Sequence, residues 1–269
     1  MKKFESAALA LVLAVAFTQQ VTAKGMQAKD DVSTLTVGAT AVPHAELLNL
    51  VKDDLAAQGI TLKVMEFSDY VAPNEALLHS QLDANFFQHA PYLHSNANWD
   101  AKLTAAFGVH VEPMGLFSKK IADIANLADG ATIAIPNDPT NGGRALLLLQ
   151  ANGLITLNAG AGITATRLDI TDNPRGFKFT ELEAAQLPRA LDDVDAAVIN
   201  GNYALAANLN PVSDSLIIEG ADSPYVNIVA VRKGDENSPR ILALKNALLS
   251  QKVKDAIAVK YAGGVVATF

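Results

Sequence analysis

Arg144 is the residue of this 269-residue chain best placed by sequence to anchor a ligand. It lies in ATIAIPNDPTNGGRALLLL, where an apolar strand over residues 131–135 runs into Pro136-Asn137-Asp138-Pro139 and then a helix through Leu149, closed at Gly153. Asp138 reads as the helix N-cap and Pro139 as its first residue. The free N–H groups of the first turn and the positive end of the helix dipole then face the mouth of the strand. A guanidinium in the next turn can hold a carboxylate bidentately, a charge-assisted contact of about 1.5–3 kcal/mol. The alternative is a surface arginine whose stem covers the neighbouring leucines.

AAVINGNYA has the same design: an apolar strand over 196–199 ends in Asn200, Gly201 and Asn202, and a helix begins at Tyr203. Asparagine at a strand tip either serves the turn or faces a ligand. SPYVNIVAV sets Asn227 inside an apolar strand, where a buried amide is satisfied by backbone or turned to a site. ANFFQHAPYL crowds Phe86, Phe87, His89 and Tyr92 into seven residues. Such a cluster packs a core or, through the polar tips of His89 and Tyr92, lines an apolar pocket.

Catalytic signatures are missing. GxSxG, P-loop, HExxH and EF-hand patterns do not occur. Gly160-Ala161-Gly162 lacks the third glycine and the preceding strand of a dinucleotide fingerprint. Of the five histidines (His44, His79, His89, His94 and His110), His89 and His94 are five apart, where two ligands on one helix face favour four. The adjacent acids Asp53-Asp54 and Asp192-Asp193 project in different directions from a helix and read as solvated surface. No catalytic residue, metal or cofactor is therefore expected, and the chain is not expected to be an enzyme.

Composition narrows the field further. Hydrophobic residues are 50% and charged residues 18%, as in a packed globular protein. The net charge of −7, without a basic run, argues against nucleic acid as a partner. Cysteine is absent, which excludes disulfides, thiolate metal sites and a cysteine nucleophile. Lys2 and Lys3, the apolar run 7–17 and Val21-Thr22-Ala23 form a secretory signal pattern, with cleavage expected after Ala23. The run is shorter than the roughly 20 residues a membrane span needs.

The elements that must position these residues alternate along the chain. Strands are expected at 35–39, 60–67, 109–117, 131–135, 178–182, 196–199, 216–218 and 226–231. Helices are expected from Pro43 to Gly59, at 74–82, across the aromatic stretch 86–99, and at 139–149, 184–191, 241–249 and 253–261. This order implies an α/β protein with mainly parallel, helix-covered sheet. No internal repeat and no Gly/Ser- or Pro-rich tether divides it.

Taken together, DYVAPNEAL (69–77), DANFFQHAPYL (83–93), PNDPTNGGRALLLL (136–149), ELEAAQLPRALDDVDAAVIN (181–200) and SPYVN (223–227) closely resemble the NlpA-type methionine-binding proteins, the substrate-binding components of methionine ABC importers. The resemblance spans about residues 34–269. It implies a two-lobed periplasmic-binding-protein fold of type II, with the ligand cleft between the lobes. Residues 34–115 plus 220–269 would form one lobe and 116–219 the other. It further implies that Arg144 clamps the ligand carboxylate, that Asn202 and Asn227 bind the amino and carboxylate groups, and that Tyr70, Phe87, His89 and Tyr92 surround the thioether. Phe86 and Asn85 are secondary candidates. The partners implied are methionine, as either enantiomer, and the importer's membrane subunits, with the binding protein itself a monomer. Alternatives on the same fold are a methionine-containing dipeptide, another apolar amino acid, or an enzyme or adhesin.

The physical chemistry of methionine agrees. Its sulfur favours aromatic neighbours by about 0.3–1.5 kcal/mol, and burying its side chain contributes about 1.5–3 kcal/mol. A buried zwitterion needs matched polar groups. Only together do such terms approach the roughly −8 kcal/mol of micromolar binding. Members of this family commonly carry a lipid on a cysteine after the signal sequence. This chain has no cysteine, so the expectation from sequence is an exported, soluble, unanchored protein.

Overall fold

Strands and helices alternate around two sheets, each with buried apolar clusters on both faces. The computed structural model describes residues 33–220 and 223–269; the expected signal segment 1–23 lies outside them. β1 (Thr34–Thr40) leads into α1 (Glu46–Leu50) and α2 (Lys52–Ala56), followed by β2 (Thr61–Phe67), α3 (Ala72–Leu78) and β3 (Ala84–His89). Next come α4 (Ala90–His94), α5 (Ala97–Lys102) and the long β4 (Leu103–Val111). Past residues 112–114 lie β5 (Gly115–Phe117), β6 (Thr132–Pro136), α6 (Pro139–Ala151) and a small ladder of β7 (Thr156–Leu157) with β8 (Ile170–Asp172). Then follow β9 (Lys178–Leu182), α7 (Leu187–Ala190), β10 (Ala196–Ile199), α8 (Gly201–Ala206) and β11 (Ile217–Ile218). The chain returns with β12 (Val226–Arg232), α9 (Pro239–Leu248), α10 (Gln251–Tyr261) and β13 (Val266–Ala267).

The first sheet has the order β13-β4-β12-β3-β1-β2 and the second β11-β5-β10-β6-β9. Alternation sorts their side chains. On the first sheet Leu35, Val37, Phe86 and Val229 pack with α1, α2, α9 and α10, while Phe87, Ile228 and Ala230 pack on the opposite face with Tyr92 and Trp99. On the second sheet Ile133, Ile135 and Val198 face α6, and Ala134, Ala197 and Ile199 face α7.

Three expectations from sequence are corrected. The stretch 86–99 is not one helix: β3 runs to His89, and only then do α4 and α5 begin. All six residues of β3 are buried, so the strand shows none of the polar–apolar alternation that marks a half-buried strand. The strand expected at 109–117 is two. Pro113 has no N–H to donate to a ladder; β4 ends before it in one sheet and β5 starts after it in the other. The sheets are also mixed. β1 pairs in parallel with β2 and β3, and β6 with β9 and β10. By contrast β4 and β12, and β5 with β10 and β11, pair antiparallel. These four strands, β4, β5, β11 and β12, flank the two passages between the sheets, where among the described residues no crossover helix reverses the chain as a parallel pair requires.

Close backbone approach shapes the start of α6. A Cβ on Gly143 would lie 2.3 Å from the Ile163 carbonyl oxygen, and one on Gly142 would lie 2.9 Å from that of Pro136. Asp138 caps the helix as expected, accepting a hydrogen bond from the Asn141 N–H at 2.9 Å. The cap and the two glycines together fix where Arg144 emerges.

Candidate functional site

The carboxyl end of β3, the first turns of α6 and the β10–α8 turn meet at one cavity with about 320 Å3 of non-atom space, its mouth included. Tyr70, Phe87, His89, Tyr92, Arg144, Asn202 and Asn227, the seven primary candidates, all line it.

One side is aromatic. Phe87 and His89 project from β3, and Tyr92 from α4. Tyr70 packs on Phe87 at 5.9 Å and on Tyr92 at 5.7 Å between ring centroids. Burial raises the Tyr70 and Tyr92 phenols above their ordinary pKa, so both are neutral donors. The His89 ring has a defined tautomer. Its Nδ1 accepts from the Tyr92 N–H at 3.1 Å, which leaves the proton on Nε2, 3.2 Å from Asn141 Oδ1. Burial, with the positive Arg144 nearby, lowers its pKa to about 3. His89 is therefore neutral at physiological pH.

The other side is polar. The Arg144 side chain is only 4% exposed, which rules out the surface reading. Its Nε donates to Glu219 Oε1 at 2.9 Å and its Nη2 to the Glu112 carbonyl at 2.8 Å. Nη2 also pairs with Glu219 Oε2, and the guanidinium lies 4.2 Å from the centroid of the Tyr225 ring. The fork edge that was expected to grip a ligand carboxylate is thus held by Glu219. Asn202 Oδ1 accepts from the Tyr70 hydroxyl at 2.5 Å, joining the two sides. Asn200 Nδ2 donates to Asn141 Oδ1 at 2.8 Å, and the Asn141 amide donates to both oxygens of Asp138 at 3.0 Å. The Oδ1 of Asn200 is buried without a partner.

Asn227 lies on β12 opposite His89 of β3 and His110 of β4. Its Oδ1 is 3.2 Å from His44 Nε2. That nitrogen is also 3.2 Å from Glu112 Oε1, and His110 Nε2 is 2.7 Å from the same oxygen. Burial lowers the pKa of His44 to about 4 and of His110 to about 3, and raises that of Glu112. Among the described residues His44, His110 and Glu112 form the one cluster of His, Asp or Glu side chains close enough to suggest a metal. Their separations are those of hydrogen bonds, with both Nε2 atoms directed at one carboxylate oxygen. The cluster therefore reads as a neutral-imidazole cradle for Glu112.

The secondary candidates stand elsewhere. Phe86 points to the opposite face of the first sheet, with its ring 4.6 Å from that of His44. Asn85 is buried in an amide network, donating to Asn74 Oδ1 at 2.8 Å and accepting from Gln88 at 3.0 Å. Sequence reasoning missed Gln88, Glu112 and Asn141 as lining residues and Glu219 as the partner of Arg144; it singled out the Asn200–Gly201–Asn202 turn but carried only Asn202 into the site. Asn141 and Asn200 lie within the two strand-tip motifs that also hold Arg144 and Asn202. Glu112 and Glu219 flank the two passages between the sheets, and nothing marks those passages until the strands are assigned.

One guanidinium and one carboxylate, several amides and a wall of rings suit a small zwitterion with an apolar tail. Two α/β lobes with such a cleft between them define the periplasmic-binding-protein class of ligand carriers. The NlpA lipoprotein family model matches residues 35–269, and the chain belongs to that family. It is 42% identical over 242 residues to membrane lipoprotein TpN32 of Treponema pallidum (strain Nichols), covering 90% of each chain. It is 41% identical over 272 residues to the methionine-binding lipoprotein MetQ of Bacillus subtilis (strain 168), covering 99% of this chain and 98% of that one. A nutrient-binding protein from Burkholderia cenocepacia, solved bound to methionine, superposes with a TM-score of 0.84 at 48% identity, covering 87% of this chain and 100% of that one.

These relatives correct one expectation. Absence of cysteine pointed to an unanchored protein, but the family and two of these relatives, TpN32 and the Bacillus subtilis MetQ, are named lipoproteins, and a lipid anchor is the reading they support. Extracytoplasmic placement is consistent with both. Among the described residues no helix is long and apolar enough to cross a membrane.

Proposed function

We propose that this protein captures methionine outside the cytoplasm and delivers it to the membrane subunits of an ABC importer, without turning it over. The observation that carries this reading is the convergence of Arg144, Asn202 and Asn227 with Tyr70, Phe87, His89 and Tyr92 on one cavity. In this reading Glu219 sets the plane of the Arg144 guanidinium, and Nη1 reaches the ligand carboxylate. Asn202 and Asn227 take the amino and carboxylate groups from opposing sides. The rings enclose the thioether, where sulfur–aromatic contact and burial both favour methionine over a polar side chain. Binding without turnover is supported by the family, whose relatives include a methionine-binding lipoprotein. The lobes divide as residues 34–115 plus 220–269 and residues 116–219, joined by the two passages, and the protein acts as a monomer.

Calorimetry with L-methionine, D-methionine and Gly-Met on chain unfolded and refolded to strip co-purified ligand tests the proposal. Heat with at least one methionine enantiomer is expected. Heat with Gly-Met alone would move the assignment to a dipeptide carrier, and heat with none would remove methionine. Mass spectrometry of the small molecule that co-purifies with the protein gives an independent answer.

A further inference from the structure

Among the described residues the cavity has a single lining carboxylate, Glu112, in the passage that carries the chain from the first sheet to the second. Three elements close around its side chain. His44 comes from the turn before α1, and His110 from β4. The Asn202 backbone N–H of α8 lies near enough to the carboxylate to favour its ionised form. Gly201 makes that approach possible: a Cβ there would lie 2.8 Å from the Glu112 Cβ. His44 is oriented from behind, because its Nδ1 lies 2.7 Å from the Thr40 hydroxyl and its Nε2 faces two oxygens, those of Glu112 and Asn227. Its proton therefore belongs on Nε2, with Nδ1 accepting from Thr40. Both imidazoles approach Oε1, so neither engages Oε2.

We propose that Glu112 is the proton-linked counter-ion of the ligand's ammonium group, with His44 and His110 as its positioning residues. The inference rests on the proposed amino-acid ligand and adds how its positive end is recognised. Among the described residues Arg144 and Glu112 are the one cation and the one carboxylate lining the cavity, a match for the two ends of a zwitterion. Without ligand, a carboxylate enclosed by two neutral rings has too little solvation to match water, and burial raises its pKa. An ammonium arriving against it favours the ionised form. Capture then displaces one proton from Glu112 to solvent, and the ammonium keeps its own.

The other charged or titratable groups around Glu112 do not supply that proton. His44 and His110 have pKa values lowered to about 4 and about 3, and His89 across the cavity to about 3. All three are neutral in both states above pH 5. Arg144 approaches Glu112 through the backbone, its Nη2 donating to the carbonyl oxygen. The Tyr70 and Tyr261 phenols, which feel the Glu112 charge, are raised and stay protonated.

Methionine calorimetry between pH 5 and 8, in paired buffers of high and low ionisation enthalpy, tests this on the ligand-stripped full chain. Affinity is expected to rise with pH by up to about tenfold per unit until Glu112 is ionised without ligand, and then to level. Over the rising part, the heat should depend on the buffer, reporting released protons. Glu112→Gln should weaken binding at least tenfold and remove both signatures. His110→Asn should shift the profile along the pH axis without abolishing it. If the wild-type chain binds methionine with flat affinity and buffer-independent heat, the proton linkage is wrong while the methionine reading stands. The paired-buffer measurement needs no variant, so it decides the matter even if Glu112→Gln misfolds. No methionine heat in the wild type at any pH would overturn the ligand and this inference together.

Discussion

The first sheet's side of the cavity presents rings and the second sheet's side presents hydrogen-bonding groups. Phe87 and His89 stand on β3, with Tyr92 in α4 and Tyr70 just before α3. Opposite them, Asn141 and Arg144 stand in α6, and Asn200, Gly201 and Asn202 form the β10–α8 turn. Gln88 and Asn227 are the polar exceptions on the first sheet. The difference follows from how each side is made. β3 is a central strand buried on both faces, so what it shows the cavity is what it can also pack. A strand tip followed by a capped helix ends in polar groups by construction. One side can thus select a tail and the other a charged head, and the two are joined by the Tyr70–Asn202 hydrogen bond.

Acid tests this asymmetry with the largest expected effect. All five histidines precede residue 111, and the three buried ones, His44, His89 and His110, belong to the first sheet's side. Their pKa values fall from 6.5 to about 4, about 3 and about 3. The unfolded chain therefore binds more protons than the folded one below pH 6.5. Stability is fully present above that pH and is lost as pH falls towards 4, by up to about 1.4 kcal/mol per unit for each histidine. Glu112, with a raised pKa, contributes with the opposite sign and offsets part of this. Urea unfolding at pH 7, 6, 5 and 4.5 should show a steadily falling midpoint, and His89→Gln should flatten the slope. An unchanged slope in that variant would show that His89 is not among its causes.

The polar side should carry the next largest effect. Arg144→Ala removes the cavity's cation and leaves Glu219, half-enclosed at 17% exposure, without its partner. Loss of a charge-assisted contact of about 1.5–3 kcal/mol predicts methionine binding roughly 10- to 100-fold weaker. Arg144→Lys should not restore it, because an ammonium cannot hold Glu219 by two parallel bonds while reaching the ligand. Wild-type affinity in either variant, measured by calorimetry, would take Arg144 out of the site.

Tyr70→Phe cuts the link between the two sides and keeps the ring contacts. Asn202 Oδ1 then loses its donor. The expected cost is about 0.5–1.5 kcal/mol, or roughly two- to tenfold in affinity. A larger loss would mean that the hydroxyl also touches the ligand.

The same division explains what is legible in the sequence. Strand tips followed by turn and cap residues announce themselves, so Arg144, Asp138 and the Asn200–Asn202 turn can be read from residue types and spacing alone. Strands β9 and β10 fall where apolar pattern and length place them. β3 reads wrongly as helix because its composition, NFFQH, is equally that of a buried helix, and a strand buried on both faces has no period to betray it. Phe86 is misplaced for the same reason: without the strand, nothing tells that it and Phe87 face opposite ways. Glu112 and Glu219 are far apart in sequence and acquire meaning only where the chain passes between the sheets.

The smallest effect should come from the aromatic side, and it is the one that separates tail recognition from general apolarity. Norleucine has the length of methionine without the sulfur, so hydrophobic burial treats the two nearly alike. Sulfur–aromatic contact adds about 0.3–1.5 kcal/mol for methionine alone. Phe87→Leu keeps an apolar wall of similar reach but removes a ring that packs against Tyr70 at 5.9 Å. The preference for methionine over norleucine should fall by roughly two- to tenfold in competition binding, with norleucine affinity itself little changed. If both ligands weaken equally, Phe87 supplies only area, and any selectivity for sulfur must come from Tyr70, His89 or Tyr92.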